Sequence, residues 1–188
     1  ALPPEVSLSF DPASAELEDW IAAARAYGHE ALIDLHLGTT ESLEAAPADA
    51  GESRLLAELG PQENLRRLDA TLARAPKAAG VAISITDAFL GDAAALTPIL
   101  ERLQAGGWIA VGLPVTAPLT VAADRVFPDQ VAANALARDA MALRTLARQR
   151  GAALAIGPAE VAIGLAEDLA RVGASEIVLV PASALVEN

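Results

Sequence analysis

PQENLRRLDATLARAPKAAGVAISI, residues 61–85, decides how the rest of the chain is read. It opens with a proline, which suits the first turn of a helix, and Leu65, Leu68 and Leu72 then recur as one apolar stripe at helical spacing. The helical run ends towards Gly80, and VAISI, a short β-branched run, begins at once. Glycine can take the left-handed conformation that ends a helix and turns the chain. The stretch therefore reads as helix, cap, strand.

The same junction recurs in ARAYGHEALIDL, LQAGGWIAVGL, ARQRGAALAIG and ARVGASEIVLV. Ser14 or Asp11 is placed to cap a first helix running to about Tyr27, with Leu17, Trp20, Ile21 and Ala24 on its apolar face. Later helices are predicted over about 92–105, 130–149 and 159–172. The predicted strands are EVSLSF, EALIDLHL, VAISI, WIAVGL, LTVAADRVF, ALAIG and EIVLVP, short apolar runs of the kind a parallel sheet buries on both faces. Strand and helix alternate throughout, which implies an α/β fold with right-handed crossovers, either an open doubly wound sheet or a barrel. At 188 residues the chain fits a single domain, 1–188.

Composition removes several classes of function. A formal charge of -12 and a sequence pI near 4.5 argue against nucleic acid and against an acidic membrane surface, both of which require a basic patch. The chain has no cysteine, so disulfides, thiolate metal sites and a cysteine nucleophile are excluded. No apolar run approaches the roughly 18 residues of a membrane span. The start ALPPEVSLSF enters a strand directly, which is the expectation for the interior of a longer chain with a segment upstream.

Parallel α/β folds gather reactive groups at the carboxyl ends of their strands and in the loops that follow. Residues 38–60, rich in Gly, Pro, Ser, Asp and Glu, are long for a connector and are such a loop. Both histidines lie just before it in YGHEALIDLHLGTTE, residues 27–41. Asp34 and His36, two apart on a strand, point to one face. With Asp87, after VAISI, they are the candidate ligands for zinc or another divalent metal, which needs at least three N or O ligands. Asp34 and His36 are also the candidate catalytic residues. The competing reading makes His36 a half-buried histidine satisfied by backbone or carboxylate, and His29 a junction residue bonded to backbone. There is no GxSxG and no Walker or dinucleotide glycine pattern.

Five phrases in order resemble the divergent polysaccharide deacetylase family, relatives of the NodB-type carbohydrate esterases: LPPEVSLSFDP, WIAAARAYGHEALIDL, LGPQENLRRLDATLARAPKAAGV, DRVFPD and IVLVPASAL. The resemblance runs essentially end to end. It implies a distorted (β/α) barrel whose first strand, closed by an Asp pair, lies upstream of Ala1. It also implies a bacterial periplasmic, cell-envelope location and a polysaccharide substrate class.

The resemblance further implies a divalent metal that activates water, and it marks where ligands belong. The family's strand histidine falls on Asp34, and its Pro-Met-Glu falls on or near Leu37 and Gly38. Its Asn-His-Met-Gly phrase falls around Ile83 to Thr86, and its Ile-Gly-His-Pro phrase has become AIGPAEVAIG. Three histidine positions thus lack histidine. The expectation is a deacetylase-like domain that does not hydrolyse and binds a cell-wall protein or polysaccharide. The alternative is an active metal-dependent deacetylase with rearranged ligands, and a third reading is an unrelated cytoplasmic α/β barrel enzyme. Two Trp, one Tyr and three Phe are few for a sugar-stacking groove, which favours a protein partner.

Overall fold

The computed structural model describes residues 2–43, 53–172 and 177–186. In chain order the elements are β1 (Leu8–Phe10), α1 (Leu17–Ala26), β2 (Ala31–Gly38), α2 (Thr40–Leu43), β3 (Arg54–Leu56), α3 (Pro61–Ala73), β4 (Gly80–Ile85), α4 (Asp87–Leu90), α5 (Ala93–Ala105), β5 (Ile109–Val111) and β6 (Thr120–Val121). There follow β7 (Arg125–Val126), α6 (Ala133–Arg150), β8 (Ala155–Ile156), α7 (Ala159–Val172) and a 3-10 turn (Ala182–Leu185). Every strand pair is parallel. The main sheet runs β1-β2-β4-β5-β6, with β3 beside the carboxyl half of β2, and β7 and β8 form a separate ladder. This is the α/β architecture of the distorted-barrel type. Among the described residues no ladder joins β8 to β1.

The two faces of β2 differ. Ile33, Leu35 and Leu37 are almost completely buried in the main core, together with Leu17 and Ile21 of α1, Leu68 of α3 and Ile99 of α5. Leu32, Asp34 and His36 take the other face, where Leu32 packs near Ile109 and Val111 in a smaller apolar cluster. The period of two thus sends the polar pair away from the helices.

Several elements form as the sequence predicts, for local reasons. Asp92 caps α5 by accepting from the amides of Ala94 and Ala95, each at 3.1 Å. Gly28 and Gly151 hold φ of 87° and 88° at their junctions. Gly80 differs, because its φ is not positive. A Cβ there would lie 2.3 Å from the carbonyl oxygen of Ile109, so close approach of β4 to β5 requires the glycine. The junction at residue 173 lies outside the described residues.

Other expectations are corrected. Neither Asp11 nor Ser14 caps α1; each accepts an amide two residues on, from Ala13 and Glu16, and the helix starts later. Trp20 is 51% exposed, tilted against Phe10 and donating to Glu16, so it does not belong to the core stripe. EVSLSF pairs only at Leu8–Phe10. LTVAADRVF is not one strand. The amide of Asp124 donates to the Leu154 carbonyl at 2.8 Å and its carboxylate accepts from the Leu154 amide at 2.9 Å, which turns the chain from the main sheet towards β8.

The 38–60 stretch, predicted irregular, contains α2 and β3; its residues 44–52 lie outside the described ones. Residues 177–180 of EIVLVP form no strand, and Val178 is 68% exposed. Strand-favouring composition without a ladder partner does not make a strand, because β propensity measures fit to a paired, half-buried surface. A mostly apolar crevice of about 410 Å³ lies between this segment, α6 and α7, lined by Leu143, Ala147, Leu165 and Leu179 among others. No helix among the described residues is long and apolar enough to cross a membrane.

Candidate functional site at the strand ends

Three parallel strands meet where β2 ends. His36 lies opposite Ser84 of β4 on one side and opposite Arg54 of β3 on the other. Residues in register on parallel strands share a face, so Ser84, His36 and Arg54 form a row, with Asp34 two residues before it. Ser9 of β1 completes the group by donating its hydroxyl to Asp34 Oδ1.

β3 is only three residues long and is held by α3. Buried Asn64 accepts from the Leu56 amide at 3.0 Å and donates to the carbonyls of Leu56 and Leu59 at 2.9 and 3.1 Å. Arg67 donates to the carbonyl of Arg54 at 3.2 Å while also pairing with Glu63. Both ends of β3 are therefore fixed from one helix face, because positions 64 and 67 are neighbours at i,i+3.

The electrostatics follow from this packing. Asp34 keeps solvent contact, yet the surrounding strands remove enough water from its carboxyl to raise its pKa above the ordinary carboxylate value. The Ser9 hydrogen bond opposes the shift, Asp11 adds to it by repulsion, and His36 opposes it. Burial lowers the pKa of the half-buried His36, the Arg54 charge lowers it further, and Asp34 acts the other way. His36 is thus held neutral by its setting. Its ring can donate one hydrogen bond and accept another.

Asp87 stands apart from the pair. It is the exposed first residue of α4, after Thr86, whose buried hydroxyl has no hydrogen-bond partner among the described residues. Among the described residues no group of three or more His, Asp and Glu side chains is placed to hold a metal ion. The described residues do not fit a divalent metal: among them Asp34 and His36 have no third ligand, and the guanidinium that depresses His36 would repel a cation. His29 is bonded at the junction, its Nδ1 lying 2.9 Å from the Val6 carbonyl. Since a carbonyl only accepts, Nδ1 carries the proton.

Ser9 and Arg54 are the members that reading along the sequence misses. Ser9 has a faint signal, as the polar residue between Leu8 and Phe10. Arg54 has none, because its place opposite His36 is set by register. Thr40, at the same sheet edge, gives its amide and hydroxyl to the carboxylate of Glu58 at 3.1–3.2 Å.

The profile of the divergent polysaccharide deacetylases matches residues 1–186. The chain belongs to that family. This deacetylase-family chain is also similar to the crystal structure of an uncharacterized protein from Agrobacterium tumefaciens, with a TM-score of 0.82 and 25% identity over 98% of this chain and 80% of that one. No curated protein matches it. Family membership sets aside the unrelated α/β enzyme and fixes the deacetylase-like fold around the strand-end group.

Proposed function

We propose that this deacetylase-family domain acts in the bacterial cell envelope as a binding or assembly module for a cell-wall protein or polysaccharide, without hydrolysing its ligand. One observation supports the reading: among the described residues the polar group at the strand ends combines one carboxylate, one neutral imidazole and one guanidinium, not a convergent set of metal ligands. Water activation by a divalent ion needs those ligands within bonding distance and an open position for water. A cationic neighbour works against both. The low aromatic content supports a protein partner over an extended glycan chain.

A rearranged catalytic site is the second reading, supported by Asp34 and His36 sharing a face with the negative charge of Asp11 nearby. The test is acetate release from an N-acetylglucosamine oligomer by the full chain with added zinc. No turnover above buffer is the expected result. Zinc-dependent acetate release that Asp34→Asn and His36→Gln both abolish would establish the second reading instead.

A further inference from the structure

The Arg54 side chain makes no hydrogen bond or ion pair among the described residues, although it is partly buried. Every other described arginine side chain has a partner, as Arg144 has in Asp168 at 2.5 Å and Arg25 in the Lys77 carbonyl at 2.9 Å. In a chain of net charge -12 carboxylates are abundant, so a guanidinium left without one is notable. Among the described acids of β2 and of the turn after β3, Asp34 accepts from Ser9 and Glu58 accepts from Thr40.

Its mounting is rigid. The Arg54 carbonyl is held by Arg67, and two residues on, Asn64 holds both the amide and the carbonyl of Leu56. The guanidinium therefore projects from a pinned strand onto the face shared with His36 and the exposed Ser84. A planar guanidinium carried on that strand beside a ring nitrogen and a hydroxyl is the donor set that receives a carboxylate, which a guanidinium binds through two parallel N–H···O bonds.

We propose that Arg54 anchors a carboxylate ligand at the carboxyl ends of β2, β3 and β4, with His36 and Ser84 as flanking donors. The inference rests on the binding-module reading and gives its ligand a chemical class. A monoanion suits the site better than a phosphate dianion, because one cation faces it while Asp34 and Asp11 bring negative charge nearby. Two sources share the chemistry: an acidic sugar and a peptide carboxylate.

The experiment titrates the full chain with glucuronate and with N-acetylalanine, with glucose and N-acetylalanine amide as neutral counterparts, following the His36 ring signals by NMR. Saturable binding of one acid, absent for its neutral counterpart, is expected, and the acid that binds identifies the source. Arg54→Gln should weaken it at least about tenfold, the order expected when a charge-assisted hydrogen bond is lost. Arg54→Lys should retain part of it. Circular dichroism and the melting temperature of each variant establish that it is folded.

Equal binding by Arg54→Gln, equal binding of the neutral counterpart, or no binding of either acid overturns the proposal. The hydrolysis assay separates this outcome from failure of the binding-module reading. Zinc-dependent acetate release would sink that reading whatever the carboxylates do, whereas an inactive chain that ignores both acids sinks only the proposal.

Discussion

His36 and Arg54 lie directly opposite each other in the parallel pairing of β2 and β3, so a histidine and an arginine share one face at the end of a strand. Like charges in that arrangement cannot both be carried cheaply, and the pair resolves in favour of the guanidinium, which does not lose its proton. That relationship separates the strand-end group from a metal centre.

The first prediction concerns His36. Burial and Arg54 lower its pKa in the folded chain, so the unfolded chain binds more protons in the window below the ordinary value of 6.5. Stability is then fully present above 6.5 and is lost as pH falls through that window towards the folded pKa. Denaturant unfolding at a series of pH values should show this slope, and His36→Gln should flatten it. Arg54→Gln should raise the His36 pKa measured by NMR, while leaving it below 6.5 because burial remains.

Asp34 has the opposite sign. Its folded pKa is raised above 3.8, so the native state favours the protonated form and stability falls as pH rises through the window above 3.8. Asp34→Asn keeps an oxygen for the Ser9 hydroxyl and removes the ionised form. Its melting temperature should exceed that of the wild type at pH 7, and the advantage should vanish below pH 3.8.

The clamp on β3 should be costly to break. Asn64→Ala leaves the buried polar groups of Leu56 without their side-chain partner, and each such group costs about 1–3 kcal/mol. Urea unfolding should show a loss of at least about 3 kcal/mol, at the upper end of single-residue effects. Asn64→Asp should also destabilise, because a carboxylate cannot donate to the carbonyls of Leu56 and Leu59.

Glycine positions give a paired comparison. Gly80→Ala places a methyl group 2.3 Å from the Ile109 carbonyl oxygen and must push β4 and β5 apart. Gly107→Ala meets open space and costs only what a positive φ of 70° costs an L-residue, about 1–2 kcal/mol. Thermal melts should show the first variant to be much the less stable.

The sequence makes β2, β4, α3 and α5 legible because their causes are local. Leu65, Leu68 and Leu72 set one helix face, Asp92 caps another helix, and the order of helix and strand follows from the glycine junctions. The break at Asp124 was not legible, since its partner Leu154 is 30 residues away. Nor was β3, three residues in a polar loop whose pairing depends on Asn64. At the site, alternation placed Asp34 and His36 together, as period two dictates. That Arg54 faces them depends on register, which no pattern within residues 38–60 reveals.

Zinc binding by the full chain, measured by equilibrium dialysis beside Asp34→Asn and His36→Gln, tests the central claim most directly. The expected result is no stoichiometric zinc at micromolar concentration, with both variants indistinguishable from the wild type. One zinc per chain, lost in both variants, would show that Asp34 and His36 form a metal centre and would contradict the account.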